Sequence, residues 1–159
     1  MKRILKMSGL LLFSLVVFAG CASEEEKAMN AYVEILESSN LNSSVEAVNS
    51  MAAAFSVDNP DPNAEGYNDK LFEMIELIQA ELKTAKESAN AIVVTDEALV
   101  VVHENLKLGI DNVANGFDLI HQSFLEEDEA ESSRLNAEAI EALNNGNLAI
   151  TEWNSVVTP

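Results

Sequence analysis

Leu71, Ile75, Ile78, Leu82, Ala85, Ala89 and Ile92 fall at alternating steps of four and three residues. No other pattern in this chain restricts its fold as strongly. A strand shows period two, whereas a helix at 3.6 residues per turn carries such a seam down one face and has to bury it. Phe72, Met74 and Leu77 widen the apolar face beyond the narrow stripe of a coiled coil, which favours a globular bundle. Leu106, Ile110, Val113, Phe117, Ile120 and Phe124 repeat the alternation in a further helix that runs to about Leu125. Thr95 is its expected N-cap, with Asp96 and Glu97 in the favourable first turn. Gly109 and Gly116 lie beside this seam. Glycine costs about 1 kcal/mol in a helix interior, so close approach of a neighbouring helix is the expected reason for both.

The flanking segments are less regular. Between about Glu24 and Val57, one face is marked by Met29, Val33 and Leu36 and another by Leu41, Val45, Val48, Ala52 and Phe55. Ser38-Ser39-Asn40 lies between them, and its side chains compete for backbone hydrogen bonds. The pattern fits either one helix twisting around its neighbours or a break near Asn40. Asp58 to Asp69 reads as a loop, with Pro60, Pro62 and Gly66 inside it and Asn68 or Asp69 capping the helix that follows. Glu126 to Ser133 reads as a turn into a last helix over roughly Ser133 to Ser155. Leu135, Ala139, Leu143, Ile150 and Trp153 mark its face, Asn144-Asn145-Gly146-Asn147 interrupts it, and Trp153 is expected to close the end of the core. Ile92-Val93-Val94 and Leu99 to Val102 are the only strand candidates, and neither alternates between turn signals. The expectation is an all-α chain folded as an antiparallel four-helix bundle.

The first 20 residues have a different character. Lys2, Arg3 and Lys6 form a basic start, Leu10 to Phe18 an apolar stretch, and Phe18-Ala19-Gly20 a small-residue end before Cys21, which is the layout of a secretory signal. Ile4 to Ala19, interrupted by Lys6, is shorter than the roughly 20 apolar residues that span a bilayer. The segment resembles the lipobox of bacterial lipoproteins. That resemblance implies cleavage between Gly20 and Cys21, diacylglycerol on the Cys21 sulfur, and fatty acylation, such as palmitate, of the new amino terminus. The chain then divides into a signal peptide over 1–20, a lipidated tether over 21–27 and an acidic helical domain over 28–159. The expected location is the extracellular face of the cell membrane, with the periplasmic face of an outer membrane as the alternative.

Three of the nine basic residues and none of the 27 acids precede Cys21, so the mature chain carries a formal charge of −21. Such a balance repels nucleic acid and anionic headgroups and reads mainly as a solvated surface, with a salt-tolerant host second. Cys21 is the only cysteine, so no intrachain disulfide is available and packing has to supply the stability.

Candidate chemistry is sparse. His103 and His121 share the third-helix seam but stand about 27 Å apart at 1.5 Å per residue, too far to hold one metal. Val100 occupies the position where a Glu-x-x-His motif needs its acid before His103. Asp118 stands three before His121 and leaves a single-site alternative to two packed core histidines. Asp61, Asn63, Glu65 and Asp69, with Gly66 at the sixth place, resemble the start of an EF-hand loop, but Phe72 stands where the closing acid belongs. The acidic run from Glu126 to Glu131 reads as a solvated turn. No Gly-x-Ser-x-Gly elbow or phosphate loop is present.

The expectation is therefore a non-enzymatic, cofactor-free binding or interaction protein at the cell surface, with an envelope or surface protein as partner and no nucleic acid. A small-ligand or divalent-cation binding lipoprotein is the alternative. The first would use an exposed apolar patch, with Tyr32, Ile35, Phe72 and Met74 as candidates. The second would use a pocket near Asn144 to Asn147 or His103.

Overall fold

The computed structural model describes residues 23–58 and 67–157. Among these, all regular structure is helical: α1 (Glu24–Ser38), α2 (Leu41–Asp58), α3 (Tyr67–Ala91), α4 (Glu97–Leu125) and α5 (Glu129–Val157). The all-α expectation holds, with five helices because the first segment is broken. Ser39 makes the break. Its hydroxyl donates to the Leu36 carbonyl at 2.6 Å and accepts from the Leu41 amide at 3.3 Å, so one side chain ends α1 and starts α2. Ser38 and Ser43 donate to the Ile35 and Asn40 carbonyls on either side, the competition that serine and asparagine offer a helix backbone.

Each well-defined helix start has a side chain that satisfies its free amides. Ser23 and Glu26 form a reciprocal capping box at α1, so residues 24–27 of the expected tether are already helical. At α4 the cap is Asp96 and not Thr95: one Asp96 oxygen accepts from both the Ala98 and Leu99 amides, which the threonine a residue earlier does not. Asp128 does the same for Ala130 and Glu131, so α5 begins at Glu129, four residues before the expected Ser133, and the turn shrinks to three residues. Helix α3 begins at Tyr67, which puts Asn68 and Asp69 inside its first turn and not at the cap. There Asp69 meets the positive end of the helix dipole.

The seams pack as their spacing requires. Ile78, Leu82, Ala85 and Ala89 of α3 are buried against Leu106, Ile110, Val113 and Phe117 of α4 and Val45 and Val48 of α2, and Ile75 on the same seam is buried too. Leu41, Ile78 and Leu106 have no exposed surface at all, and each such side chain contributes about 1.5–3 kcal/mol of burial. Helices α3 and α4 run antiparallel, with Ala89 at His103, Lys86 paired to Asp111 at 2.7 Å and Gln79 bonded to Asp118 at 2.6 Å. The side chains of Ala52 and Phe55 lie outside the described residues.

Helices α4 and α5 form the most extensive contact, also antiparallel. Gly109 faces Ile150 and Gly146, and Gly116 faces Leu143 and Ala139. The close approach expected of Gly109 and Gly116 is observed. Gly146 does not interrupt α5; it is the third member of the contact. A methyl group there would stand 2.7 Å from Val113 Cγ2 and 3.0 Å from the Gly109 oxygen and the Val113 nitrogen. Helix α5 runs unbroken through Asn144-Asn145-Gly146-Asn147 because the facing backbone occupies the space a side chain would need. Near the turn, Ser132 donates to the Ser123 carbonyl at 2.7 Å and Asn136 lies 3.1 Å from the Ser123 hydroxyl, a polar closure of the hairpin.

Candidate functional site

Chemistry-bearing side chains converge at one place, the end of the fold where α1 crosses α3, α4 and α5. Tyr32 extends from the middle of α1, His103 from the second turn of α4, and Trp153 from the last turns of α5. All three are buried, at 3%, 5% and 1% exposure. Trp153 Nε1–H donates to the Tyr32 oxygen at 3.1 Å, and the Tyr32 oxygen lies 3.0 Å from His103 Nδ1. His103 Nε2 lies 2.9 Å from the Ala89 carbonyl, in the last turn of α3.

The protons in this chain have one consistent arrangement. A carbonyl only accepts, so Nε2 carries the hydrogen and the neutral ring offers Nδ1 as an acceptor. Tyr32 O–H fills it. The imidazole thereby caps α3, where carbonyls lack intrahelical partners and no basic residue sits in the last turn. The Tyr32 and His103 rings meet edge to face, with centroids 5.8 Å apart. Among the described residues no buried side-chain nitrogen or oxygen lacks a partner.

Burial sets the titration of the site. It pushes the Tyr32 phenol up to about 12, against a small opposing effect of the Trp153 hydrogen bond, which favours the phenolate. It holds the His103 imidazole below its usual value. The Ala89 hydrogen bond opposes that shift, Lys107 adds to it, and Glu104 opposes it. Both groups are therefore neutral at pH 7. With each ring nitrogen bonded, His103 has no lone pair or N–H free for a substrate, and the triad has no nucleophile to activate.

Tyr32, expected on an exposed apolar patch, is instead a core residue, because its ring fills the space between Trp153 and His103 while its hydroxyl finds two partners. Phe72 and Met74 are half-buried: Phe72 packs on His121 at 5.4 Å and Phe124 at 5.7 Å, and Met74 packs against the Ile78–Phe117 cluster. Only Ile35 of the four stays exposed, at 40%. His121 is an edge-on partner of Phe72, and Asp118 accepts from Gln79. Among the described residues no three metal-ligating side chains cluster. Asp61, Asn63 and Glu65 lie outside the described residues. So do Gly20 and Cys21.

Two voids lie among the described residues. One, of about 20 Å³, is lined only by apolar side chains, Val45, Leu82, Leu106 and Ile150 among them. The other is an open cleft of about 300 Å³ at the α4–α5 turn. Its one cation, Arg134, is paired with Glu131 and Glu138, and the Arg134 bond holds the Glu131 carboxyl below the usual range. Among the described residues, neither of these voids is lined by Asn144 to Asn147 or by His103. Neither a protein-family model, nor a curated protein, nor a solved structure matches the chain.

Proposed function

We propose that this chain is a lipid-anchored, extracytoplasmic helical bundle that acts without catalysis, as a binding or interaction protein at the cell surface. The observation that carries this reading is the position of Cys21. It follows a basic start and an apolar stretch, and it stands two residues ahead of Ser23, the N-cap of the first helix. A lipid on that sulfur would be joined to the fold by Ala22 alone. Among the described residues no helix is long and apolar enough to cross a membrane, so attachment in this reading rests on the lipid.

The same reading treats the domain as an antiparallel four-helix bundle in which α1 and α2 together supply the first member, bent at Ser39. The antiparallel α3–α4 and α4–α5 pairs support it. The non-catalytic part is supported by His103, whose ring is spent on holding helices together.

The test is expression of the full chain in a bacterial host fed a labelled palmitate analogue, with mass analysis of the amino-terminal peptide. A mature chain beginning at Cys21 and carrying diacylglycerol is expected, and Cys21→Ser is expected to stay uncleaved and unlabelled. An unlipidated wild-type chain, or cleavage elsewhere, overturns the anchor. A rise in melting temperature with calcium or zinc at constant ionic strength would favour the cation-binding alternative.

A further inference from the structure

We propose that the Tyr32–His103–Trp153 chain is an acid-sensitive latch, which holds α1 against α3, α4 and α5 at neutral pH and releases it when His103 takes up a proton. The inference stands apart from the lipid anchor and rests on proton direction. Ala89 fixes the hydrogen on Nε2, Tyr32 O–H donates to Nδ1, and Trp153 N–H donates to the Tyr32 oxygen. A second proton on the imidazole has only Nδ1 to occupy, where it meets the phenol hydrogen. If Tyr32 turns its O–H away, its oxygen accepts from Nδ1–H and the phenol hydrogen leaves its present acceptor in a site 3% exposed. If it does not turn, two donors oppose each other. The first outcome reverses the Tyr32–His103 bond at the cost of the phenol hydrogen's acceptor, the second sets two donors against each other, and both place a positive charge in the core.

Among the described residues no carboxylate is buried in the core to rescue that state. From α1 the group facing His103 is the neutral Tyr32 and from α3 the Ala89 carbonyl, and the group that α5 sets on Tyr32 is the uncharged Trp153 indole. On α4 itself, Lys107 opposes a charged ring and Glu104 favours it, and these two are paired with each other at 2.7 Å. Burial of the ring adds to the preference for the neutral form.

Helix α1 is the element that yields, because it has the smallest hold. It buries only Tyr32 and Leu36, whereas α4 buries nine residues and α5 eight, and its packing on α2 is slight. The break at Ser39 supplies the hinge.

The sign follows from linkage. A histidine whose folded value lies below its unfolded 6.5 stabilises α1 docking fully above 6.5, and that contribution is lost as pH falls from 6.5 to the folded value. One proton gives up to a tenfold fall in α1 hydrogen-exchange protection per pH unit across that window. The experiment follows the full chain from pH 7.5 to 5.0, above the range where ordinary carboxylates titrate. Imidazole titration is read by NMR of labelled histidine, and exchange protection by mass spectrometry.

The expected result is loss of α1 protection at the His103 midpoint while α4 and α5 stay protected. His121→Gln, at the only other histidine, keeps this behaviour, and His103→Gln makes α1 protection independent of pH. Flat α1 protection while His103 titrates overturns the latch. So does simultaneous loss in every helix, or disappearance of the transition in His121→Gln. Should His103→Gln not fold, the coincidence of the two wild-type midpoints still decides.

Discussion

Replacing Gly146 by alanine sets two effects of opposite sign against each other. In an isolated helix the change stabilises by about 1 kcal/mol. Here the new methyl carbon would lie 2.7 Å from Val113 Cγ2 and 3.0 Å from two backbone atoms of α4, the Gly109 oxygen and the Val113 nitrogen. A valine methyl can give a little. The two backbone contacts yield only if α4 and α5 move apart along their most extensive interface, which places the cost near the upper end of the overpacking range, about 3 kcal/mol. The difference is about 2 kcal/mol of net destabilisation, a fall in urea midpoint of about 1 M for a slope of about 2 kcal/mol/M. Urea titration followed by helical circular dichroism and by Trp153 fluorescence measures it. Gly116→Ala is the internal comparison, because its close neighbours are atoms of the half-buried Leu143 side chain and the nearest facing backbone atom is 3.3 Å away. That variant should stay within about 1 kcal/mol of wild type, where propensity and clash nearly cancel. Val113→Ala in the Gly146→Ala background removes the 2.7 Å contact and leaves both at 3.0 Å, so the double-mutant cycle should show favourable coupling short of full rescue. A Gly146→Ala protein as stable as wild type, or more so, would refute the close-approach argument and leave helix propensity as the dominant effect.

Tyr32→Phe keeps the ring but leaves the Trp153 N–H and His103 Nδ1 without their shared partner, and should cost about 2–4 kcal/mol in the same urea assay. Its alkaline behaviour should change too. A phenol raised from 10.0 to about 12 in the fold stabilises fully below pH 10, and the contribution is lost as pH climbs towards 12, so wild-type stability should decline across that window by more than that of Tyr32→Phe. Asp128→Ala removes the acceptor of two amides at the start of α5 and should cost about 1 kcal/mol, with fraying of that turn seen by hydrogen exchange. Leu106→Ala, at a position with no exposed surface, should cost about 2–5 kcal/mol beside a void already present.

The parts of the fold that repeat were legible in the sequence. The seam from Ile75 to Ala89 and its counterpart from Leu106 to Phe117 are buried because a four-three alternation has only one face to hide. Ser38-Ser39-Asn40 marked the break without deciding between break and twist, since serine competes for the backbone whether or not the chain bends. Caps were placed less well. Thr95 and Asp96 are both good caps in adjacent positions, and only the amide geometry selects the aspartate. Gly146 was misread because three asparagines surround it and its reason lies on the facing helix. Of the buried triad, only Tyr32 left no periodic trace. Tyr32 bonds residues 71 and 121 positions away, and taken alone it is an amphipathic side chain beside a helix seam. The one available signal was chemical: the chain's only tryptophan and one of its two histidines both lie on seams, and each needs a polar partner once buried.

Those separations also bear on the order in which the fold can be completed. A ribosome delivers α1 before the other described helices, but the indole that bonds it comes 121 residues later. Helices α4 and α5, joined by three residues, can pair as soon as they emerge, because so short a connection costs little closure entropy. Of the described helices, α1 is therefore the first made and the last to be seated. Until Trp153 arrives the core around Tyr32 and Leu36 is unfinished, and a chain cut before Trp153 keeps only the His103 bond and the apolar contacts of α2, α3 and α4 to hold α1.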